Sequence, residues 1–373
     1  MCELKYWIAL SCAPGVGSGY FFRLVNAFGS PREAWRAHGK HLQDVFSGNQ
    51  CLLTRFTRWR ACTDPDRLLD ELRSSGVEAV TFEDSRYPRF LKDIASPPPV
   101  LYCIGTLPGQ TDVCVSVVGT RRPTPYGLRC AAGIASRLAK AGFCVVSGMA
   151  LGIDSCAHRV ALDSGGRTVA VLGCGPDVVY PRQHRALYDR ITRAGAVVSE
   201  YYPGTLPLPA RFPARNRIIS GMSVTTVVVQ AGTKSGALIT ARFAAEQGRT
   251  VYVVPGDIYC RASAGTNRLL YDGATPVVDV EQLLMEIYST LEAWQMPRPV
   301  PPVHQDVAGS LQATPGEAAR RVLSAVRKGG STVDSIARMA QVDVSSVLSE
   351  LMLLELEGKV MRYPSGAFGA IPE

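Results

Sequence analysis

At 373 residues, 46% hydrophobic and 19% charged, the chain has room for two or three domains with a sizeable core, and the balance excludes a disordered polymer. The formal net charge of +8 is concentrated: residues 113–294 hold 19 Lys and Arg against 12 Asp and Glu, residues 1–112 hold 13 against 12, and residues 295–314 and 315–373 balance. An anionic partner therefore belongs to the middle of the chain, whereas eleven cysteines without a C-x-x-C pair and the lack of any membrane-length apolar run argue against zinc and a membrane span.

The opening MCELKYWIALSCAPG follows no signal-peptide plan, so the expectation is a cytoplasmic protein with reduced thiols and no membrane contact. The run Ala13-Pro14-Gly15-Val16-Gly17-Ser18-Gly19 leads into Tyr20–Phe28, whose Phe21, Leu24, Val25 and Phe28 recur at helical spacing. Two readings are open: a helix-hairpin-helix offering turn amides to a DNA phosphate, or a glycine turn inside a small helical bundle. Trp35, Phe46, Phe56 and Trp59 supply the core of that bundle. Pro65–Ser74 reads as a helix, Val77–Phe82 as a strand, and 87–105 as a proline-rich connector ending in Val100-Leu101-Tyr102.

From Val113 short apolar strands alternate with amphipathic helices. The strands are Val113–Val118, Phe143–Ser147, Thr168–Leu172, Ala196–Ser199, Val224–Gln230 and Thr250–Val254; the helices are Tyr126–Ala141, Asp154–Ser164, Arg182–Ala194 and Gly236–Gln247. This order predicts a doubly wound parallel sheet, whose ligands sit beyond the strand carboxyl ends. Glycine-bearing turns fall at four such ends: Gly119–Arg122, Ser147–Asp154, Gly173–Gly175 and Gly232–Gly236. Met296–Pro315 reads as a Pro-rich linker. Beyond it, helices Glu317–Val326, Val333–Met339 and Ser345–Leu356 and a hairpin over Lys359–Phe368 follow the order of a winged helix. The predicted domains are 1–85, 86–294, a linker 295–314, and 315–373.

The stretch Phe212–Ala241 organises the rest. With Arg211 just before it, it holds a basic loop with Phe212, Arg215, Asn216 and Arg217, then the β-branched strand, then Lys234-Ser235-Gly236 where a helix starts. Free N–H groups at such a start suit an anion, and the arginines and Phe212 add planar donors and a stacking face. Arg121 and Arg122 follow the first strand of the series, Arg215 and Arg217 precede the fifth and Lys234 follows it, so switch-point geometry gathers all five at one rim. Asp154 and His158 lie i, i+4 on one helix, with an N-cap role for Asp154 set against general-base work. Gly173-Cys174-Gly175 lacks the third glycine of a dinucleotide fingerprint.

Val118-Gly119-Thr120-Arg121-Arg122, Ser147 to Asp154 with Ala157-His158, Ala170 to Gly175 with Tyr180-Pro181, and Ser199-Glu200 form one ordered series. Phe212 to Gly221, Ser235 to Ala241, Val254-Pro255-Gly256 and Gly265-Thr266-Asn267 complete it. Together these closely resemble the DNA-processing protein A (DprA/Smf) family, from about Tyr87 to Leu284. The resemblance implies an extended Rossmann-like domain between an N-terminal helical (helix-hairpin-helix or SAM-like) module and a C-terminal winged helix. It implies a non-enzymatic protein that binds and shields single-stranded DNA, dimerises through the Rossmann-like domain, and helps load RecA recombinase in natural transformation or recombination, with no metal or cofactor. Matched by motif, the contacts are Arg121, Phe212, Arg215, Asn216, Arg217 and Gly236, beside which Arg122, Lys234 and Ser235 stand as candidates.

One departure is Gln230, where the family usually has a glutamate; the change makes the rim more positive and removes a candidate acid. The third winged-helix helix carries Glu350, Glu355 and Glu357 and no Lys or Arg, so this module is expected to contact protein or only weakly DNA. The alternatives are a nucleotide-binding enzyme of the nucleoside-monophosphate phosphoribohydrolase type, with Glu200 as the suspect carboxylate, and a duplex-reading regulator, which that acidic helix opposes.

Overall fold

The computed structural model describes residues 3–46, 48–302, 315–329, 332–356, 359–363 and 368–370. Most of the predicted linker (303–314), Glu357 and the hairpin residues 364–367 lie outside these residues. The chain divides into two compact units, Met1–His304 and Gln305–Glu373.

The first unit opens with six helices: α1 (Leu4–Ser11), α2 (Ser18–Phe28), α3 (Pro31–Arg36), α4 (Gly39–Phe46), α5 (Gln50–Cys62) and α6 (Pro65–Ser74). Local sequence sets their starts. Ser30 accepts the Glu33 N–H at 3.1 Å ahead of Pro31, and Asp64 accepts the Asp66 N–H at 2.9 Å ahead of Pro65, so a cap and a preset φ coincide at each. Phe46 and Phe56 are fully buried with ring centroids 5.3 Å apart, and Trp35 and Trp59 are partly buried against that core. Gly15, at φ +86°, turns the chain between α1 and α2 with a Cβ position only 2.6 Å from Leu52 Cδ1, so this turn packs into the bundle.

Nine strands follow: β1 (Glu78–Thr81), β2 (Val100–Gly105), β3 (Cys114–Val118), β4 (Cys144–Ser147), β5 (Thr168–Val171), β6 (Ala196–Ser199), β7 (Thr225–Val228), β8 (Thr250–Val253) and β9 (Thr275–Pro276). They form one sheet in the order β1-β2-β6-β5-β4-β3-β7-β8-β9. The series β6 to β9 through the centre is parallel, whereas β1–β2 and β2–β6 pair antiparallel. The doubly wound parallel sheet is thus correct for the centre and extended by an antiparallel edge. That edge corrects two expectations. Val100–Gly105 is a strand rather than the end of a connector, and the boundary at 85 falls inside the β1–β2 pair. The reason is burial: Val100 and Tyr102 of β2 complete the core of the helical bundle, so bundle and sheet fold as one unit.

Helices α8 (Pro125–Lys140), α9 (Ile153–Asp163), α10 (Arg185–Ala194), α11 (Arg211–Gly221), α12 (Ala237–Glu246), α13 (Ala264–Tyr271) and α14 (Val280–Ala293) cover the sheet, with the short α7 (Arg89–Lys92) between β1 and β2. The central strands are buried throughout, as their β-branched content requires. Arg211–Arg217 is the start of a helix rather than a loop. Pro213 stands third in α11, where it forfeits no intrahelical bond, and Ile218 and Ile219 give the helix its buried face. Met296 packs into the main core and Val300–Pro301 run against Gly142, so the first residues of the predicted linker belong to this unit.

The second unit holds α15 (Pro315–Arg327), α16 (Val333–Ala340), α17 (Val344–Leu356) and the antiparallel pair β10 (Val360–Arg362) and β11 (Phe368–Ala370). Val322, Ile336, Val347, Leu351, Leu354, Val360 and Phe368 form its core, the expected winged helix.

Candidate functional site

The order of strands reverses between β3 and β7: chain connections run outward from this pair in both directions. Such a switch point opens a crevice beyond the strand ends. Here it is a groove of about 950 Å³, lined from the β3 side by Val118–Arg122 and from the β7 side by Gly232–Ala237. The Thr120 N–H donates to the Gln230 carbonyl at 2.7 Å and fixes the two turns to each other.

Arg121, Arg122, Phe212, Arg215, Asn216, Lys234, Ser235 and Gly236 all line this one groove; Arg217 does not. Arg121, Arg122 and Lys234 are exposed. Phe212, half-buried, has the Tyr180 ring centroid 5.2 Å from its own and the Arg121 guanidinium 5.8 Å from it. A Cβ at Gly173 would stand 3.2 Å from the Phe212 ring, so glycine lets that ring seat closely. Gly173 thus packs against Phe212 and Gly175 against the turn at Tyr202–Gly204. Beside Phe212 a pocket of about 60 Å³ is closed by Leu172, Cys174, Pro181 and Arg215.

Arg215 and Asn216 hold the site from beneath. Arg215 is 5% exposed; its Nη1 donates to the carbonyl oxygens of Gly148, at 2.8 Å, and Val171, and its Nε donates to Asn216 Oδ1 at 2.9 Å. Asn216 in turn donates from Nδ2 to the Gly236 carbonyl at 3.1 Å. One relay therefore ties the ends of β4 and β5 to the turn before α12. A Cβ on Gly148 would fall 2.1 Å from the Arg215 guanidinium, so a larger residue there displaces that guanidinium. Burial lowers the Arg215 pKa, partly offset by the carboxylate of Asp154.

Arg217 faces away from the groove. It makes a bidentate pair with Glu200, at 2.8 and 2.7 Å, and reaches the Ser96 carbonyl at 3.0 Å. The expected arginine cluster is therefore split by the helix: successive odd positions on α11 point to different neighbours, and a loop reading had no means of separating them.

At the β7 end, the Ser235 N–H bonds the Gly232 carbonyl and Ser235 Oγ accepts the Ala237 N–H at 3.3 Å. The amides of Thr233, Lys234 and Gly236 have no backbone partner among the described residues. Donors of this kind, next to Lys234 and at a helix start, favour an anion. Arg261, exposed, and Tyr180 also line the groove and were not singled out from the sequence. Arg261 comes from the segment after β8, whose approach to Gly232 no periodicity reveals. Tyr180 stands in one of the quoted motifs but carries no charge to mark it.

Three residues weighed for chemistry are structural. The N-cap of α9 is Gly152, not Asp154, which sits one position inside the helix. Its buried carboxylate accepts the Gly148 N–H at 3.2 Å, with the amides of Ala150 and Gly119 as further donors, and burial raises its pKa. His158 is fully buried: Nε2 accepts the Met149 N–H at 3.3 Å, and Nδ1 lies 2.7 Å from Thr168 Oγ1, which itself donates to the Val145 carbonyl. That network selects the neutral ring protonated on Nδ1, and desolvation pushes the pKa down to about 3. A base working in the groove is excluded for it by burial. Gln230, only 1% exposed, turns its amide under α8, accepting the Thr124 N–H at 2.9 Å and donating to Ser263 Oγ at 3.2 Å. The glutamine amide thus anchors the N-terminus of α8. Among the described residues no cluster of His, Cys, Asp or Glu could hold a metal ion, and no helix is long and apolar enough to cross a membrane.

Residues 78–288 match the family described as DNA recombination-mediator protein A, and residues 302–366 match the DprA winged helix domain. The chain is 34% identical to "Protein Smf" of Synechocystis sp., covering 97% of each. It resembles the X-ray structure of DNA processing protein A from Streptococcus pneumoniae with a TM-score of 0.67 and 31% identity, over 76% of this chain and 97% of that one. It also resembles a Helicobacter pylori DNA processing protein A structure concerned with that protein's single-stranded DNA binding mode, with a TM-score of 0.51 and 32% identity, over 57% of this chain and 96% of that one.

Proposed function

The chain belongs to the DNA recombination-mediator protein A (DprA/Smf) family, and from that premise we propose that it binds single-stranded DNA in the groove at the β3/β7 switch point. The observation that carries the reading is the meeting, in one groove, of exposed cations with an aromatic face and unpaired turn amides. Arg121, Arg122, Lys234 and Arg261 suit phosphates, and Phe212, backed by Tyr180, suits a base. A base within a duplex is already stacked on both faces, so Phe212 favours strands whose bases are free. Cations and stacking read little sequence, so binding is sequence-tolerant.

The resemblance extends the proposal: the protein shields incoming or processed strands, acts as a homodimer through its Rossmann-like unit, and helps load RecA in natural transformation or recombination, in the cytoplasm. We assign it no enzymatic step. Glu200, the carboxylate suspected of catalysis, is committed to Arg217, the Asp154 carboxylate at the groove wall is taken up by backbone N–H groups, and His158 is fully buried.

Phe212→Ala tests the site. Loss of one stacked base costs about 1–3 kcal/mol, so single-strand affinity is expected to fall about 5- to 150-fold while duplex binding barely changes. Unchanged single-strand affinity would remove the groove from consideration. For the RecA role, the expected result is faster RecA filament formation on strands pre-coated with a single-strand-binding protein; no acceleration would refute that part alone.

A further inference from the structure

Three of the five N–H groups of the Arg215 guanidinium have acceptors: Nε at Asn216 Oδ1, and the pair on Nη1 at the Gly148 and Val171 carbonyls. The pair on Nη2 has none among the described residues. Nη2 is also the atom nearest to where a Cβ on Gly148 would stand, and Gly148 and Arg215 both line the pocket of about 60 Å³ beside Phe212. A charged donor on a side chain only 5% exposed is costly to leave unpaired, so its place in a pocket wall points to a ligand with an acceptor.

The rest of the pocket defines that ligand. Leu172, Cys174 and Pro181 make an apolar wall, Tyr180 and Phe212 add rings, and no carboxylate lines it. The Cys174 thiol donates to the Val178 carbonyl at 3.3 Å and so adds no donor to the pocket. One water takes about 10–15 Å³ of such space, so the pocket has room for about four to six, which matches a single six-membered ring rather than a fused pair. We propose that this pocket is a base subsite that selects thymine from the strand in the groove: the ring lies against Phe212, O4 accepts from Arg215 Nη2, and the C5 methyl meets the apolar wall. A pyrimidine is joined to its sugar at N1, so the C4–C5 edge is the one that enters. Thymine carries an acceptor and a methyl there, whereas cytosine carries an amino donor that would face a cation. The inference rests on the reading of the groove as a single-strand site, and it confines sequence reading to one position, since phosphate contacts carry no sequence information.

The test titrates the full-length protein by fluorescence anisotropy with labelled oligo(dT), oligo(dU) and oligo(dC) of equal length over a salt series. Oligo(dC) should bind about 5- to 150-fold more weakly than oligo(dT). Oligo(dU), which keeps O4 and lacks the methyl, should bind about 4-fold more weakly. The salt slope should be the same for all three, because it counts phosphates. Cys174→Met, which fills the pocket, should bind the three alike with that slope unchanged; the wild-type series stands whether or not this variant folds. Equal wild-type affinity for oligo(dT) and oligo(dC) overturns the subsite and leaves the single-strand groove intact. A thymine preference undiminished in folded Cys174→Met places the preference elsewhere and also overturns it. Displacement of oligo(dC) by equimolar dTMP would give the pocket to a free nucleotide instead of a base of the strand. Wild-type protein without single-strand affinity would bring down the main reading, and this one with it.

Discussion

Arg217 and Arg121 are both arginines of the central motifs, yet they have opposite jobs, and substitution separates them. Arg217→Ala leaves the Glu200 carboxylate, 18% exposed, without its partner; the expected loss of stability is about 2–4 kcal/mol by urea melting, with little change in DNA affinity. Arg121→Ala, at an exposed position, should do the reverse, costing affinity and almost no stability. His158 sets a pH dependence. Its folded pKa of about 3 lies below the ordinary value of 6.5, so the unfolded chain binds the extra proton between those limits. The stability it contributes is complete above about pH 6.5 and is lost as pH falls toward 3, at about 1.4 kcal/mol per pH unit. The raised pKa of Asp154 acts in the opposite sense in acid, so the measurement is a difference: urea melts of wild type and His158→Asn from pH 7 to 4 should diverge in slope. Parallel slopes would contradict a neutral buried ring.

At the scale of elements, α11 and the turn after β4 form one device. Gly148→Ala cannot be accommodated without displacing the Arg215 guanidinium, and with it the relay through Asn216 to Gly236. The expected outcome is about 1–3 kcal/mol lost to overpacking and weaker single-strand binding, although residue 148 carries no charge and no donor side chain. The parallel strands and the winged helix were legible in the sequence, because hydrophobic period and turn glycines carry them. So was membership of the groove for eight of the nine candidate residues, because motifs at successive strand ends converge at a switch point. What was not legible is direction. Arg215 and Arg217 look alike in sequence, and only the helical phase of α11 sends one beneath the groove and the other to Glu200. Gln230 likewise invites a charge argument, and its sequence gives no sign that its amide bonds Thr124, the N-cap of α8. Strand β2 was hidden by the prolines before it, and its place depends on a bundle core assembled from distant segments.

In the whole molecule, the net charge of +8 lies mostly in residues 113–294, which hold 19 Lys and Arg against 12 Asp and Glu and include the groove at the β3/β7 end, while residues 315–373 balance. Hiding Arg215 and pairing Arg217 leave Arg121, Arg122, Lys234 and Arg261 as the charges that set the salt dependence. The most direct measurement is therefore anisotropy binding to matched single-stranded and duplex oligonucleotides across a salt series, with wild type and Arg121→Ala/Lys234→Ala. The account predicts a marked single-strand preference in the wild type, and a slope shallower by about 1.4 in the variant at unchanged melting temperature. Equal binding to both forms, or a slope that the double substitution leaves alone, would contradict the placement of a single strand in this groove.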